Sequence, residues 1–203
     1  RDVSVGVTLK RSGTSDATVS GNPVKISEIP RWVSAVMFAP EDSAIIRGEP
    51  GFRRQFLDEL VVGASPTMAG TYADFDKVLK QRNSLLKSLR SQPRGADLST
   101  LEVWNASFIS LAADIVSQRL QQWAAILPNV TAAYENLAVG QHITARYLPK
   151  GFVVEEGASR EDLVSLISVA LDQAAPAERE RGMSLVGPQR DDMELLIEGQ
   201  PAR

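Results

Sequence analysis

The sequence predicts an α/β protein in which an antiparallel helical arm is inserted between two β-rich segments. Three observations predict it. Residues 2–38 alternate apolar and polar side chains, residues 52–138 carry apolar side chains at spacings of three and four, and the period of two returns at Gln141. Long helices with short connections pack as antiparallel pairs. We therefore expect a β-rich segment at 1–47, a helical arm at 48–140 and a return segment at 141–203.

The first segment reads as short antiparallel strands. Val3, Val5, Val7 and Leu9 alternate with polar neighbours, and the Gly- and Asn-containing stretches 12–16 and 21–23 predict turns. Further strands are expected at 24–26 and 33–38.

The arm is predicted from helix periodicity and from breakers. Helices are expected at 52–62, 71–90 and 99–127, with a break at 91–95. The third of these helices is expected to continue to Leu127, where Pro128 either ends it or starts the next helix. A shorter helix at 129–139 is expected to end at Gly140.

The return segment mixes strands with one helix. A strand is expected from Ile143, and Ser159 with Asp162 forms a capping-box pattern that opens a helix. A charged connection at 175–182 and two strands, at 183–186 and 193–197, are expected to follow.

The composition limits the chemistry. The 203 residues contain no cysteine and one histidine, His142, so disulfides, thiolate metal sites and a Ser-His-Asp triad are disfavoured. No apolar run reaches the length of a membrane span, so we expect no membrane partner. The net charge of −3 argues mildly against a domain that binds DNA by itself through phosphate contacts.

Two charged groups flank the glycine turn at 48–51. Glu41 and Asp42 form an acidic corner, which either takes part in chemistry or caps a turn. Arg53 and Arg54 open the first arm helix, where cations are unfavourable, so a specific acidic or phosphate partner competes with a solvated helical turn.

One helix carries a candidate DNA-binding face. Lys77, Lys80, Lys87 and Arg90 fall on one side at 100° per residue, and this basic face either follows a phosphate backbone or is simply solvated. Arg82 projects among leucines instead, so it must snorkel or find a carboxylate or carbonyls.

A third charged group, Arg190-Asp191-Asp192, follows Gly187-Pro188-Gln189. Adjacent aspartates could bind Mg²⁺, or they could end a strand while Arg190 pairs with one of them.

Three blocks, taken together, resemble the RecF family of SMC- and ABC-like ATPases. They are the Phe-x-Pro-Glu-Asp corner at 38–42 followed by a Gly-x-Pro turn and Arg-Arg-x-Phe-Leu-Asp at 53–58, the block at 79–87, and Gly-Pro-x-Arg-Asp-Asp at 187–192. The family usually has histidine where this chain has Gln189. The resemblance implies that the chain is the central part of such a protein, with its β-strands in a P-loop ABC-type ATPase lobe.

The resemblance also implies function. It implies ATP-dependent DNA binding at gapped or double-stranded DNA, with single-stranded DNA as a further partner, and loading of RecA with RecO and RecR. It also implies an ATP-dependent homodimer, weak DNA-dependent ATPase activity, and a cytoplasmic role in DNA repair, replication, recombination and the SOS response. ATP and Mg²⁺ are the implied cofactors of the intact protein. The printed sequence contains no Gly-x-x-x-x-Gly-Lys-Ser/Thr motif, so we expect no catalytic, cofactor or metal site within it. The residues implied in coupling the ATPase lobe to the arm are Glu41, Asp42, Arg53, Arg54, Arg190, Asp191 and Asp192.

Two other functions compete with this one. An acidic helical module could bind protein rather than DNA, which the sequence pI near 5.3 favours. A metal-dependent phosphoesterase would need Glu41, Asp42, Asp191 and Asp192 to converge on one site.

Overall fold

The computed structural model describes residues 3–33, 39–91 and 98–202. The chain divides into two compact units, Arg1–Asp42 and Ser43–Arg203. The expected arm and return segment therefore share one unit.

The first unit contains a three-stranded antiparallel sheet. Strands β1 (Val5–Thr8), β2 (Asp16–Val19) and β3 (Asn22–Val24) pair in chain order, with Val5 opposite Val19 and Ala17 opposite Val24. The hairpin between β2 and β3 places Ser20 and Gly21 at positive φ. The strand expected at 24–26 gives way to a 3₁₀ helix, Ile26–Arg31, and residues 34–38 of the strand expected at 33–38 lie outside the described residues.

Helices dominate the second unit. After a 3₁₀ turn at Pro40–Ser43 come α1 (Ala44–Arg47), α2 (Pro50–Ala64), α3 (Met68–Ser91), α4 (Leu98–Leu137) and α5 (Arg160–Arg181). Helix α4 packs against α2, α3 and α5, and its buried face supplies Phe108, Ile115 and Val116 to the core. No helix in the described ranges is both long and apolar enough to cross a membrane.

The expectation that Pro128 ends a helix is wrong, because α4 runs without interruption from Leu98 to Leu137. A proline inside a helix removes the hydrogen bond to the carbonyl four residues earlier, here that of Ala124. Both Ala124 and Pro128 lie on the exposed side of α4, where water can hydrate the freed carbonyl. Ile126 and Leu127 pack against the core and keep the helix in place.

The connection expected at 175–182 is also wrong, since α5 continues to Arg181 through Pro176. Pro176 and Asp172, whose carbonyl loses its donor, are both exposed. The predicted capping box is confirmed: the Ser159 hydroxyl accepts a bond from the Asp162 amide, and the Asp162 carboxylate accepts one from the Ser159 amide. Gly182 ends α5 in the left-handed conformation, at φ 68°.

A second antiparallel sheet follows the helices in the order β4 (Ile143–Leu148), β5 (Asp192–Ile197) and β6 (Gln200–Pro201). Ile143 lies opposite Ile197, and Leu148 lies opposite Asp192. The strand expected at 183–186 does not form. Residues 182–191 are instead a loop that joins α5 to β5. We call this loop, together with Asp192 at the start of β5, the junction loop.

Candidate functional site: three buried arginines around one loop

The junction loop is a buried loop of fixed conformation. Pro188 and Asp191 are fully buried, and Val186 is nearly so. Gly187 has φ +116°, and a Cβ at this position would lie 2.5 Å from Cζ of Phe108. Only glycine fits there, for two reasons. A side chain would collide with the Phe108 ring, and residues other than glycine rarely adopt this positive φ.

The start of α2 is bound to the end of this loop through Arg53. Its Nε and Nη2 donate to the two carboxylate oxygens of Asp192, at 2.6 and 3.0 Å, while Nη1 donates to the Gly48 carbonyl at 2.9 Å. Only 3% of the Arg53 side chain is exposed. The neighbouring Arg54 donates from Nη1 to the carbonyl of Asp191 at 2.9 Å. The structure thus brings together four of the residues predicted to couple the lobe to the arm.

The pKa shifts of Arg53 and Asp192 both favour the charged form. Burial raises the pKa of Asp192, but hydrogen bonds from Arg53 and from the Met193 amide outweigh it and hold the pKa below its usual value. The hydrogen bond to Asp192 in turn raises the pKa of Arg53. Both groups are therefore charged near neutral pH, in the paired geometry that arginine and carboxylate prefer.

Arg82 of α3 holds the start of the loop. Its Nη2 donates to the Glu178 carboxylate at 2.6 Å, Nη1 to the Ser184 hydroxyl at 2.7 Å and Nε to the Asn105 side chain at 2.8 Å. The guanidinium carbon also lies 5.1 Å from the centre of the Phe108 ring. Of the alternatives expected for this arginine, the carboxylate partner is confirmed, and it is Glu178.

The first residues of the loop are bound by side chains rather than by a strand. The Ser184 amide donates to the Asn83 side chain at 2.7 Å, and the Leu185 amide donates to the second oxygen of Glu178 at 2.7 Å. Because these bonds already satisfy the backbone donors, no strand partner is needed. This is the physical reason that the strand expected at 183–186 is absent.

Arg119 of α4 holds the middle of the loop. Its Nη1 donates to the carbonyl of Pro188 at 2.8 Å and to the Tyr147 hydroxyl at 3.3 Å, and Nε donates to Asp58 of α2 at 2.8 Å. Only 2% of the Arg119 side chain is exposed. Arg53, Arg82 and Arg119, one from each of α2, α3 and α4, together form what we call the arginine junction.

Asp191 is the buried acid next to Arg119. Its carboxylate accepts from the Tyr147 hydroxyl and, at 2.7 Å, from the Lys150 amide. Burial raises the pKa of Asp191 to about 6, because it outweighs the opposing effect of those hydrogen bonds and of the charge of Arg119.

The sequence reasoning missed Arg119, Tyr147 and Glu178. A usable signal existed for Arg119, which occupies the buried helical row of Ala112, Ile115 and Trp123 at spacings of three and four. A cation in such a row needs a buried partner, as Arg82 does. No comparable pattern marks Glu178, because its neighbours were read as a charged connection.

The aspartates of the loop do not fit a Mg²⁺ site. Arg53 and the Met193 amide occupy the oxygens of Asp192, and Tyr147 and a backbone amide occupy those of the buried Asp191. Within the described ranges no group of three or more His, Cys, Asp or Glu side chains could hold a metal ion.

Glu41 and Asp42 lie in the first unit. Asp42 accepts a hydrogen bond from the Ala39 amide at 2.8 Å, which is the turn-capping arrangement, and Glu41 is exposed. Their role in coupling stays a prediction.

The predicted basic face of α3 is exposed along its whole length. Lys77 forms an ion pair with Asp74 at 2.9 Å, whereas Lys80 and Lys87 do not pair with a carboxylate in the part of the chain that the structure describes. Arg90 donates from Nη1 to the carbonyl of Arg181 at 3.4 Å.

Arg190 and Gln189 are adjacent in the junction loop but differ in burial, since Gln189 is half-buried. Arg190 is exposed and donates from Nε to the carbonyl of Ser184 at 3.1 Å, so it does not pair with either neighbouring aspartate. Gln189 donates from Nε2 to the carbonyl of Val186 at 2.9 Å, and its buried Oε1 has no hydrogen-bond partner in the described residues.

The chain was compared with known proteins by sequence and by fold. No family model matches the chain. It is 37% identical over 221 aligned residues to the DNA replication and repair protein RecF of Clavibacter sepedonicus, covering 100% of this chain and 54% of that protein. It is 45% identical over 176 residues to RecF of Streptomyces avermitilis, covering 84% of this chain and 47% of that one.

Solved structures agree on the fold. The structure of the recombination mediator protein RecF with ATPrS, in the RecFOR pathway, matches 99% of this chain and 53% of that chain, with a TM-score of 0.82 at 25% identity. The corresponding RecF–ATP structure matches with a TM-score of 0.79 at 23% identity.

The fold defines the class: an α/β chain with a helical arm, of the type found in ABC-like ATPases, and the predicted fold class is thereby confirmed. Over its whole length the chain is similar to proteins named RecF, and the resemblance to the RecF family is thereby confirmed. The chain spans about half the length of the curated relatives it matches, from 47% to 54% in the two cases above.

Proposed function

We propose that this chain is the arm-bearing part of a RecF protein that binds DNA under the control of ATP and acts in DNA repair and replication. In this proposal the whole protein works with RecO and RecR to load RecA at gapped DNA, in the cytoplasm, as an ATP-dependent homodimer. Homology to proteins named for DNA replication and repair supports this role, and so does the likeness to RecF solved with ATP.

The 203 residues do not themselves fit the nucleotide. They contain no Gly-x-x-x-x-Gly-Lys-Ser/Thr motif to cradle its phosphates, and both aspartates of the junction loop are occupied by protein donors. ATP and Mg²⁺ therefore belong to the whole protein in this proposal, and Glu41 and Asp42 are proposed to face that site.

The observation that carries the proposal is the two-point contact of Arg53 with Asp192. It joins the first long arm helix to the first residue of β5 across 139 residues of sequence, with Arg54 bound to the adjacent carbonyl. A buried, bidentate pair has one defined geometry, so a displacement of the strand carries the helix with it. We infer that the arginine junction makes the arm and the return strands move as one body.

The test replaces Arg53 by lysine in the whole protein. Lysine keeps the charge but lacks the planar guanidinium fork that donates two parallel hydrogen bonds to Asp192. We expect the ratio of DNA dissociation constants without and with ATP to fall, by about tenfold for each 1.4 kcal/mol of coupling lost. Arg160→Lys is the matched control, since it alters an exposed pair with Asp114. An unchanged ratio in a folded Arg53→Lys protein would count against coupling through this contact.

DNA contact by the arm is proposed for Lys77, Lys80, Lys87 and Arg90. Their exposure on α3 supports it, and the two lysines that lack a carboxylate partner in the described residues, Lys80 and Lys87, are the strongest candidates. Reversing both, Lys80→Glu with Lys87→Glu, should weaken DNA binding and flatten its dependence on salt. If affinity and salt dependence stay at parental values, the arm does not bind DNA. That result would favour the alternative in which an acidic helical module binds protein.

A further inference from the structure

The basic face of α3 continues onto two other parts of the fold. A Cβ on Gly182, at the end of α5, would lie 3.3 Å from Cα of Lys87 and 3.2 Å from Cδ of Arg90. Arg90 also donates to the carbonyl of Arg181. The last turn of α5 therefore lies directly against the last turns of α3.

The junction loop then runs back along α3. The Ser184 amide and hydroxyl both donate to Asn83, at 2.7 and 2.8 Å, and the Ser184 carbonyl accepts from Arg190 Nε at 3.1 Å. At 100° per residue, Asn83 falls within the same arc of about 80° as Lys80, Lys87 and Arg90. Arg190 thus stands beside the middle of the basic face, and Arg181 stands beside its end.

These five cations share exposure and a lack of carboxylate partners. Lys80, Lys87, Arg90, Arg181 and Arg190 are all exposed, and within the described parts of the chain none forms an ion pair. Two exposed carboxylates, Asp76 and Glu180, lie beside the group. We call these five residues the basic seam.

The seam rests on the buried part of the molecule. Ser184 accepts at its hydroxyl from the buried Arg82 and at its carbonyl from Arg190. Arg190 uses Nε for this bond, and neither of its Nη nitrogens donates to another group in the described residues. A guanidinium held at Nε and open at Nη is prepared for an external anion, because little side-chain entropy remains to be lost on binding.

We propose that the basic seam is one continuous binding surface for the phosphate backbone of DNA, with Arg181 and Arg190 as phosphate-contacting residues. This inference rests on the proposed DNA-binding function and extends it from one helix face to three elements. From Lys80 to Arg90 the seam spans about 15 Å of helix axis, enough to reach phosphates on both sides of a groove about 12 Å wide.

Phosphate fits the seam better than an acidic protein does. Protein interfaces need an apolar centre, and Met183 is the one large apolar side chain exposed within 77–91 and 179–192. Five cations without such a centre match a partner recognised through charge alone.

The test uses the whole protein and gapped duplex DNA. Arg181→Gln with Arg190→Gln removes two cations, so the slope of log affinity against log salt concentration should become less negative by about 2. Arg47→Gln with Arg146→Gln is the matched control, because it removes two exposed cations of the same unit, and Arg146 pairs with Glu194 rather than with a seam residue. Arg190→Lys keeps the charge and should retain the slope, and Arg181→Gln alone covers the case in which the double variant fails to fold.

The outcomes separate this inference from the function beneath it. If Lys80→Glu/Lys87→Glu lowers binding while Arg181→Gln/Arg190→Gln leaves the slope at its parental value, the seam ends at α3 and the inference is wrong. If neither pair changes the slope, DNA binding by the arm is wrong as well. The inference would also be overturned if the slope changed equally in Arg181→Gln/Arg190→Gln and in the control, since the change in net charge alone would then explain it.

Discussion

Replacing Arg82 by methionine tests how much the arginine junction stabilises the protein. Methionine keeps most of the side-chain volume but removes the donors to Glu178, Ser184 and Asn105. Glu178 then becomes a buried charge without its cation, bound only by the Leu185 amide, since the two side chains are only 2% and 1% exposed. Breaking a buried ion pair in this way costs about 3–5 kcal/mol.

The second half of the cycle isolates the pair. In Arg82→Met with Glu178→Gln the buried charge is gone, while the amide oxygen of glutamine can still accept from the Leu185 amide. We expect the double variant to be more stable than Arg82→Met alone. With Glu178→Gln measured in the same way as the second single variant, the cycle should give a coupling energy of at least about 1 kcal/mol.

Urea unfolding followed by tryptophan fluorescence measures both variants. With a denaturant slope of about 2–3 kcal/mol/M, the single variant should unfold at a urea midpoint lower by about 1–2 M. Lys77→Met is the control, because that lysine is 74% exposed and its ion pair contributes about 1 kcal/mol or less. A single-variant shift no larger than that of the control, or a double variant no more stable than the single one, would refute the reasoning.

Two further predictions concern the junction loop. Burial raises the pKa of Asp191 to about 6 from an unfolded value of 3.8, so its contribution to stability is present below pH 3.8 and is lost as the pH rises through 6. Asp191→Asn should therefore flatten the unfolding free energy between about pH 4 and 6, and identical pH profiles of variant and parent would contradict the assignment. Gly187→Ala should destabilise the fold by at least about 2 kcal/mol, because the new methyl would meet Phe108 at positive φ. Gly63→Ala, in α2 with open space around it, should instead raise the melting temperature through a gain of about 0.5–1 kcal/mol in helix propensity, and equal melting temperatures for the two variants would contradict this account.

The sequence predicted elements best where a local signal determined them. The capping box of Ser159 and the alternation that begins at Ile143 both depend on residues within one or two turns, and both are borne out. Pro128 misled because a local helix-breaking preference lost to packing of neighbouring residues and to hydration of one exposed carbonyl. The end of α5 was missed because its charged residues, 175–182, were interpreted as a connection.

The candidate site was predictable in part for the same reason. Arg82 is visible from sequence, because a cation in a leucine row must find a partner, but no local rule names Glu178, which lies 96 residues away. Arg53 and Asp192 were both recognised as charged blocks, whereas their direct contact is a property of the packed helices and strands. The stretch 183–186 was predicted as a strand from its apolar residues, and only the side-chain bonds to the backbone of Ser184 and Leu185 exclude a strand there.

The long sequence separations within the arginine junction have a consequence for the order of folding. Its bonds join residues 139, 96 and 69 positions apart, through Arg53, Arg82 and Arg119. Such contacts form only after large chain loops have closed, whereas α2, α3 and α4 each gain their hydrogen bonds within a few residues. We expect the junction loop to become ordered last. In a nascent chain it should fold only after residues beyond 190 have been synthesised and have packed against α2, α3 and α4, which form earlier.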